Sequence, residues 1–130
     1  MSILSETPRV LKLPKADVYG LSPTPDGSGF LTAGFDGVHR WDLATGERQC
    51  KYRGYSGHVC WLAVASNDKK FVLACFGDLT VRLFDYASGK ELRQFKGHQG
   101  ISTSVAFAPD GKRAISACYD KTVRVWDTAT

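Results

Sequence analysis

The sequence predicts an all-β chain built from three successive four-stranded antiparallel units. Three observations predict it. Turn acids recur at a fixed interval of 42 residues, as Asp26, Asp68 and Asp110 and again as Asp36, Asp78 and Asp120. Apolar positions keep the same interval, as Leu31, Leu73 and Ile115 and as Ala33, Cys75 and Ala117. Between them, short β-rich runs alternate with turns containing Gly, Pro and Asp, the punctuation of strands rather than of helices. A period of this size is that of a four-stranded sheet that buries its faces only by stacking on its neighbours. Three copies account for nearly all of the 130 residues and divide them into units of about 8–46, 47–89 and 90–130.

The elements follow in order. Arg9, Val10, Leu11, Lys12 and Leu13 read as a strand that Pro14 stops. They stand where 48–53 and 92–96 stand in the later units, so they are an outermost strand whose own sheet lies elsewhere. Residues 18–21 read as an inner strand, residues 22–27 as a Pro- and Gly-fixed turn, and 30–34 and 38–41 as the next two strands. Asp42 to Gly46 is then a hairpin, with an acid to accept backbone N–H bonds and a glycine to close it. The second unit repeats this with strands at 60–65, 71–76 and 80–84 and a hairpin from Asp85 to Gly89; the third has strands at 103–107, 114–118 and 122–126. In the last strand Val123 and Val125 share one face, with Thr122, Arg124 and Trp126 on the other. Large groups on both faces suit a sheet enclosed between two others.

The third unit runs from Gly97-His98, through turns at Asp110-Gly111 and Asp120, to Trp126-Asp127. A Gly-His start and a Trp-Asp finish around four strands is the pattern of a propeller blade. The unit resembles a repeat of the WD-repeat β-propeller family, and the other two are looser copies of it. The resemblance implies that His98, Ser116, Asp120 and Trp126 form a buried structural hydrogen-bond chain: indole to hydroxyl, hydroxyl to imidazole, imidazole to turn carboxylate. In the first unit Thr32, Asp36 and Trp41 match, but Leu13-Pro14 replaces Gly-His, so that chain lacks its histidine. In the second, Asp78 matches, while Ala74 stands for the serine and Phe84 for the tryptophan. These two units are expected to rest more on apolar packing and to be less rigid than the third.

The same residues do not make an enzyme. Ser116 lies mid-strand among Ile115, Ala117 and Cys118, without the exposed elbow that a nucleophilic serine needs. No catalytic residue, cofactor or metal site is expected. His58 and Cys60 are the nearest approach to a metal-ligand spacing and have no further ligands at a useful distance. The four cysteines are unpaired in spacing and read as free thiols of a reducing compartment. The N-terminus lacks the basic start and apolar run of a secretory signal, and no stretch reaches membrane-spanning length, so a cytoplasmic location is expected. The net charge of +4 is spread along the chain, which does not favour nucleic acid as a partner.

In the family, blades close into rings, and three blades make only an open arc. Both chain ends fall in phase with the repeat, which favours closure by identical copies over a torn fragment. Arg9 to Leu13 of one chain would then pair with Thr122, Val123, Arg124 and Val125 of the next. Three chains with nine blades are favoured over two with six. The function expected is a non-enzymatic scaffold that self-assembles and binds an unidentified protein or peptide, with Tyr19, Tyr55, Trp61 and Gln99 as candidate contacts. The alternatives are a ring that binds an anionic ligand or nucleic acid, and a fragment or engineered piece of a larger propeller.

Overall fold

The computed structural model describes residues 10–12, 18–52, 59–65, 69–75 and 79–128. Within them the chain forms β1 (Val18–Pro23), β2 (Gly29–Gly34), β3 (Gly37–Asp42), β4 (Arg48–Tyr52), β5 (Val59–Val64), β6 (Lys70–Cys75), β7 (Val81–Asp85), β8 (Glu91–Phe95), β9 (Ser102–Phe107), β10 (Arg113–Cys118) and β11 (Val123–Asp127). They pair antiparallel in three sheets, β1-β2-β3-β4, β5-β6-β7-β8 and β9-β10-β11. The fold class is the one expected, all-β in propeller blades, but among the described residues the third sheet has three strands instead of four. The sheets stack in chain order, β5 against β1 and β2, and β9 against β5 and β6.

The hairpins show why the chain reverses where it does. Asp42 accepts the Thr45 N–H at 2.9 Å and its hydroxyl at 2.8 Å, and Gly46, at φ 76°, returns its N–H to the Asp42 carbonyl at 2.8 Å. Asp85 does the same with Ser88 at 2.8 and 2.6 Å, and these bonds hold its carboxyl below the usual carboxylate range. An acid, a hydroxyl three residues on and a glycine thus form one self-satisfied turn, written twice.

Two apolar layers hold the sheets together. Leu31, Ala33 and Val38 of the first sheet meet Leu62, Phe71, Leu73 and Phe84 of the second, with Phe71 stacked on Phe84 at 5.2 Å and edge-on to Tyr52 at 4.7 Å. Val72, Ala74, Val81 and Leu83, on the other face of the second sheet, meet Val105 and Ala114 of the third. Tyr52 also crosses the first joint, its hydroxyl donating to the Tyr86 carbonyl at 2.8 Å. The middle sheet is therefore apolar and enclosed on both faces. The third sheet, despite its fuller polar chain, has one face bare: Val123 and Val125 are 66% and 62% exposed.

Two expectations are corrected here. Val10, Leu11 and Lys12 carry no strand; Arg9 and Leu13 lie outside the described residues. Extended backbone is held as a strand by an edge that takes its N–H and C=O groups, and among the described residues no sheet pairs with residues 10–12. Thr122 precedes β11 rather than opening it.

Candidate functional site

The side chains singled out in the third unit converge on the face of that sheet turned toward the second. Ser116, on β10, is 1% exposed. The Trp126 indole N–H, from β11, donates to its Oγ at 2.9 Å. Ser116 Oγ lies 2.6 Å from Nε2 of His98, and Nδ1 of His98 lies 3.3 Å from Oδ2 of Asp120. The Thr122 hydroxyl donates to the same carboxylate, as do the backbone N–H groups of Gln99 at 3.1 Å and Thr122 at 3.0 Å. The bonds from Thr122, then that from Gln99, hold the Asp120 carboxyl far below its usual range. An ionised Asp120 fixes the tautomer: Nδ1 carries the ring proton, and Nε2 accepts from Ser116. Ser116 Oγ thereby accepts from Trp126 and donates to His98, and a nucleophile's requirements go unmet: the hydroxyl is buried against an indole.

Gly97 is required beside this chain. Its φ is 146°, and a Cβ there would lie 3.0 Å from Nη1 of Arg124 and 3.5 Å from the Trp126 ring. The Gly-His pair is thus a backbone bend that only glycine accepts, followed by the side chain it delivers.

The first sheet carries the chain in two halves. Trp41 donates to Thr32 Oγ1 at 2.9 Å. Asp36 meets not a histidine from the loop before β1 but His39 of β3, 3.2 Å from Nε2, and Lys51 of β4 at 3.4 Å. The sequence pattern missed His39 because it searches ahead of the inner strand. The signal was present: His39 sits two residues before Trp41, so alternation places both on one face.

The second sheet departs from the repeat arithmetic. Asp78 lies outside the described residues. Ala74, 42 residues before Ser116, pairs with Val81 and faces the third sheet. The residue in Ser116's structural place is Leu73, which pairs with Arg82 as Ser116 pairs with Arg124. A one-residue slip in the β6–β7 connection turns β6 over, since strand faces alternate. Leu73 and Phe84 therefore put hydrocarbon where the third sheet has a hydrogen-bond chain.

Of the candidate contacts, Tyr19 and Trp61 are exposed near the starts of β1 and β5, and a Cβ on Gly20 would touch the Trp61 ring at 3.3 Å. Gln99 is exposed, with its backbone N–H given to Asp120. Tyr55 lies outside the described residues. Phe35 and Tyr119, two repeat lengths apart, also stand exposed, each one residue before its turn acid. A groove of about 280 Å³ between β4 and the β7–β8 turn is lined by Cys50, Lys51, Tyr52 and Ser88.

Stacked antiparallel sheets of four, four and three strands, the third tied by a Trp–Ser–His–Asp chain, are the blades of a β-propeller. The family model described as WD domain, G-beta repeat matches residues 46–85 and 89–127, more than half of the chain. The chain belongs to the WD40 repeat family. No curated protein matches it. Among solved structures it is similar to U3-55K, with a TM-score of 0.84 and 26% identity over 93% of this chain. It is also similar to the RRP9 WD40 repeats, with a TM-score of 0.85 and 25% identity over 93%. It spans 39% and 38% of those two chains, about two fifths of their length. Proteins of this family are in general non-enzymatic scaffolds for protein–protein interaction.

Proposed function

We propose that this chain is an interaction scaffold that completes its propeller by head-to-tail association with further copies of itself. One observation carries the proposal. Val123 and Val125 stand 42 residues after Val81 and Leu83. In the second sheet that pair is 0% and 1% exposed, sealed by the third sheet; in the third sheet the pair is 66% and 62% exposed. The two internal joints follow one rule: the later-facing side of each sheet packs on the earlier-facing side of the next. Applied once more, the rule sets Val123 and Val125 against the earlier-facing side of a first sheet, where Leu21 is 59% exposed while Thr32, His39 and Trp41 of the same side are buried within the chain. A contact between two different faces of identical chains closes by rotation into a ring. Covering such faces removes apolar surface from water. Among the described residues β11 is an edge strand, which suits an added outer strand, the role expected of the segment around Val10 to Lys12. The assembled ring would present its loops, with Tyr19, Trp61 and Gln99, to a protein or peptide partner in the cytoplasm.

Leu21→Lys and Val125→Lys test this from opposite ends of the chain. Each should shift the protein to species of 14.3 kDa at concentrations where the parent is assembled, with the circular dichroism of the sheets retained. Loss of assembly with only one of the two, or with neither, would contradict a joint made from both faces.

A further inference from the structure

The side chains of His98, Cys118 and Asp120 are far apart in sequence or on alternate positions, with no metal-motif spacing. The fold brings one nitrogen, one sulfur and one oxygen of theirs within 4.8 Å of one another. His98 comes from the loop before β9, Cys118 ends β10, and Asp120 lies in the β10–β11 turn. We propose that these three residues form a binding site for a thiophilic divalent cation of the zinc type, with a water as fourth ligand.

The donor set suits that ion. Imidazole, thiolate and carboxylate are each ordinary zinc ligands, and three protein ligands with one open position is a common tetrahedral arrangement. The 3.3 Å between His98 Nδ1 and Asp120 Oδ2 is close to the edge of a tetrahedron with zinc–ligand bonds of about 2 Å. Cys118 Sγ is already drawn to the turn, accepting the Asp120 N–H at 3.4 Å. Gly100 lets the loop lie close to the cluster, since a Cβ there would come to 3.3 Å from the Asp120 nitrogen and 3.5 Å from the sulfur. Asp120, with its side chain 13% exposed, leaves a path for the ion.

The remaining hydrogen-bond chain becomes the support of the site. The ion takes the place of the proton on Nδ1, and the ring carries its proton on Nε2, where it donates to Ser116 Oγ, whose own hydroxyl proton turns away from the ring. That oxygen is held in turn by the Trp126 indole at 2.9 Å. A metal-bound histidine is oriented by the partner of its other nitrogen, and here that partner is buried and fixed. Cys118 gives up its thiol proton to solvent on binding. One thiolate and one carboxylate then neutralise the dication.

The test uses the whole chain and Co2+ as a spectroscopic probe, followed by competition with Zn2+. One equivalent of Co2+ should give the visible absorption of a tetrahedral ion and a thiolate-to-cobalt charge-transfer band, both abolished by one equivalent of Zn2+. Cys118→Ser, which spares the Trp–Ser–His–Asp chain, should lose the charge-transfer band. It should also weaken Zn2+ binding by more than the roughly 10-fold to 100-fold that loss of an outer-shell partner costs. Cys50→Ser should behave as the parent. Absence of a tetrahedral spectrum, persistence of the charge-transfer band in Cys118→Ser, or its loss in Cys50→Ser would each overturn the site. The readout lies within one chain and is independent of assembly.

Discussion

Ser116 is the residue on which the third blade's polar chain turns. It accepts from Trp126 and donates to His98, so Ser116→Ala leaves the buried His98 and the half-buried Trp126 indole unpaired. Thr32→Ala in the first blade removes the acceptor of Trp41 alone, because His39 engages Asp36 instead. At about 1–3 kcal/mol for each buried polar group left unsatisfied, Ser116→Ala should destabilise the chain by roughly twice as much as Thr32→Ala. Urea unfolding of the two variants measures the difference; equal losses would mean that the His98 bond contributes nothing. The residues of the third blade were legible in sequence because their spacing matches the family pattern unbroken. His39 was not, since it performs the histidine's contact with the turn acid from a different strand. Leu73 was hidden as well: a period counts residues, and the one-residue slip that turns β6 over leaves the count of turn acids unchanged.

The β2–β3 turn shows how a whole element is fastened through one acid. Burial works against the charge of Asp36, but Lys51 and then His39 outweigh it and hold the carboxyl below its usual range. The turn is thereby tied to β3 and to the outer strand β4. Burial pushes the His39 ring below the ordinary 6.5, with Arg48 and Lys51 adding to the push and Asp36 opposing it. The folded state therefore keeps His39 neutral over a range in which the unfolded chain takes up a proton. Unfolded chains then bind more protons, so stability falls as the pH drops below about 6.5 and levels off below the folded-state value. His39→Gln should flatten that part of the stability profile without changing it above pH 7.5 or so; an unchanged slope would place the titration on another group. Strand positions were legible to within a residue or two, because turn acids and glycines bracket them. The segment from Arg9 to Leu13 reads as a strand by composition, yet Val10, Leu11 and Lys12 form none in the single chain. Composition records a strand's propensity and not the edge that it needs.

At the scale of the molecule, the sequence shows a repeat and the structure shows which of its faces are used. Valines 123 and 125 repeat a buried pair and are bare, and Leu21 is bare at the other end of the stack. Hydrophobic pattern alone marks all three sheets as enclosed; among the described residues the stacking order shows no neighbour over Val123 and Val125 or over Leu21, although Thr32, His39 and Trp41 beside Leu21 are buried. The central claim is that copies of the chain supply those neighbours. Light scattering behind a sizing column, over a range of concentrations, tests it most directly. Closure by copies of the chain requires a defined species at an integer multiple of 14.3 kDa, three copies being favoured over two, that persists on dilution to concentrations well below those used for loading. A well-folded species of 14.3 kDa at every concentration would contradict it, and a continuous spread of masses would point instead to blades of a longer propeller as the missing neighbours.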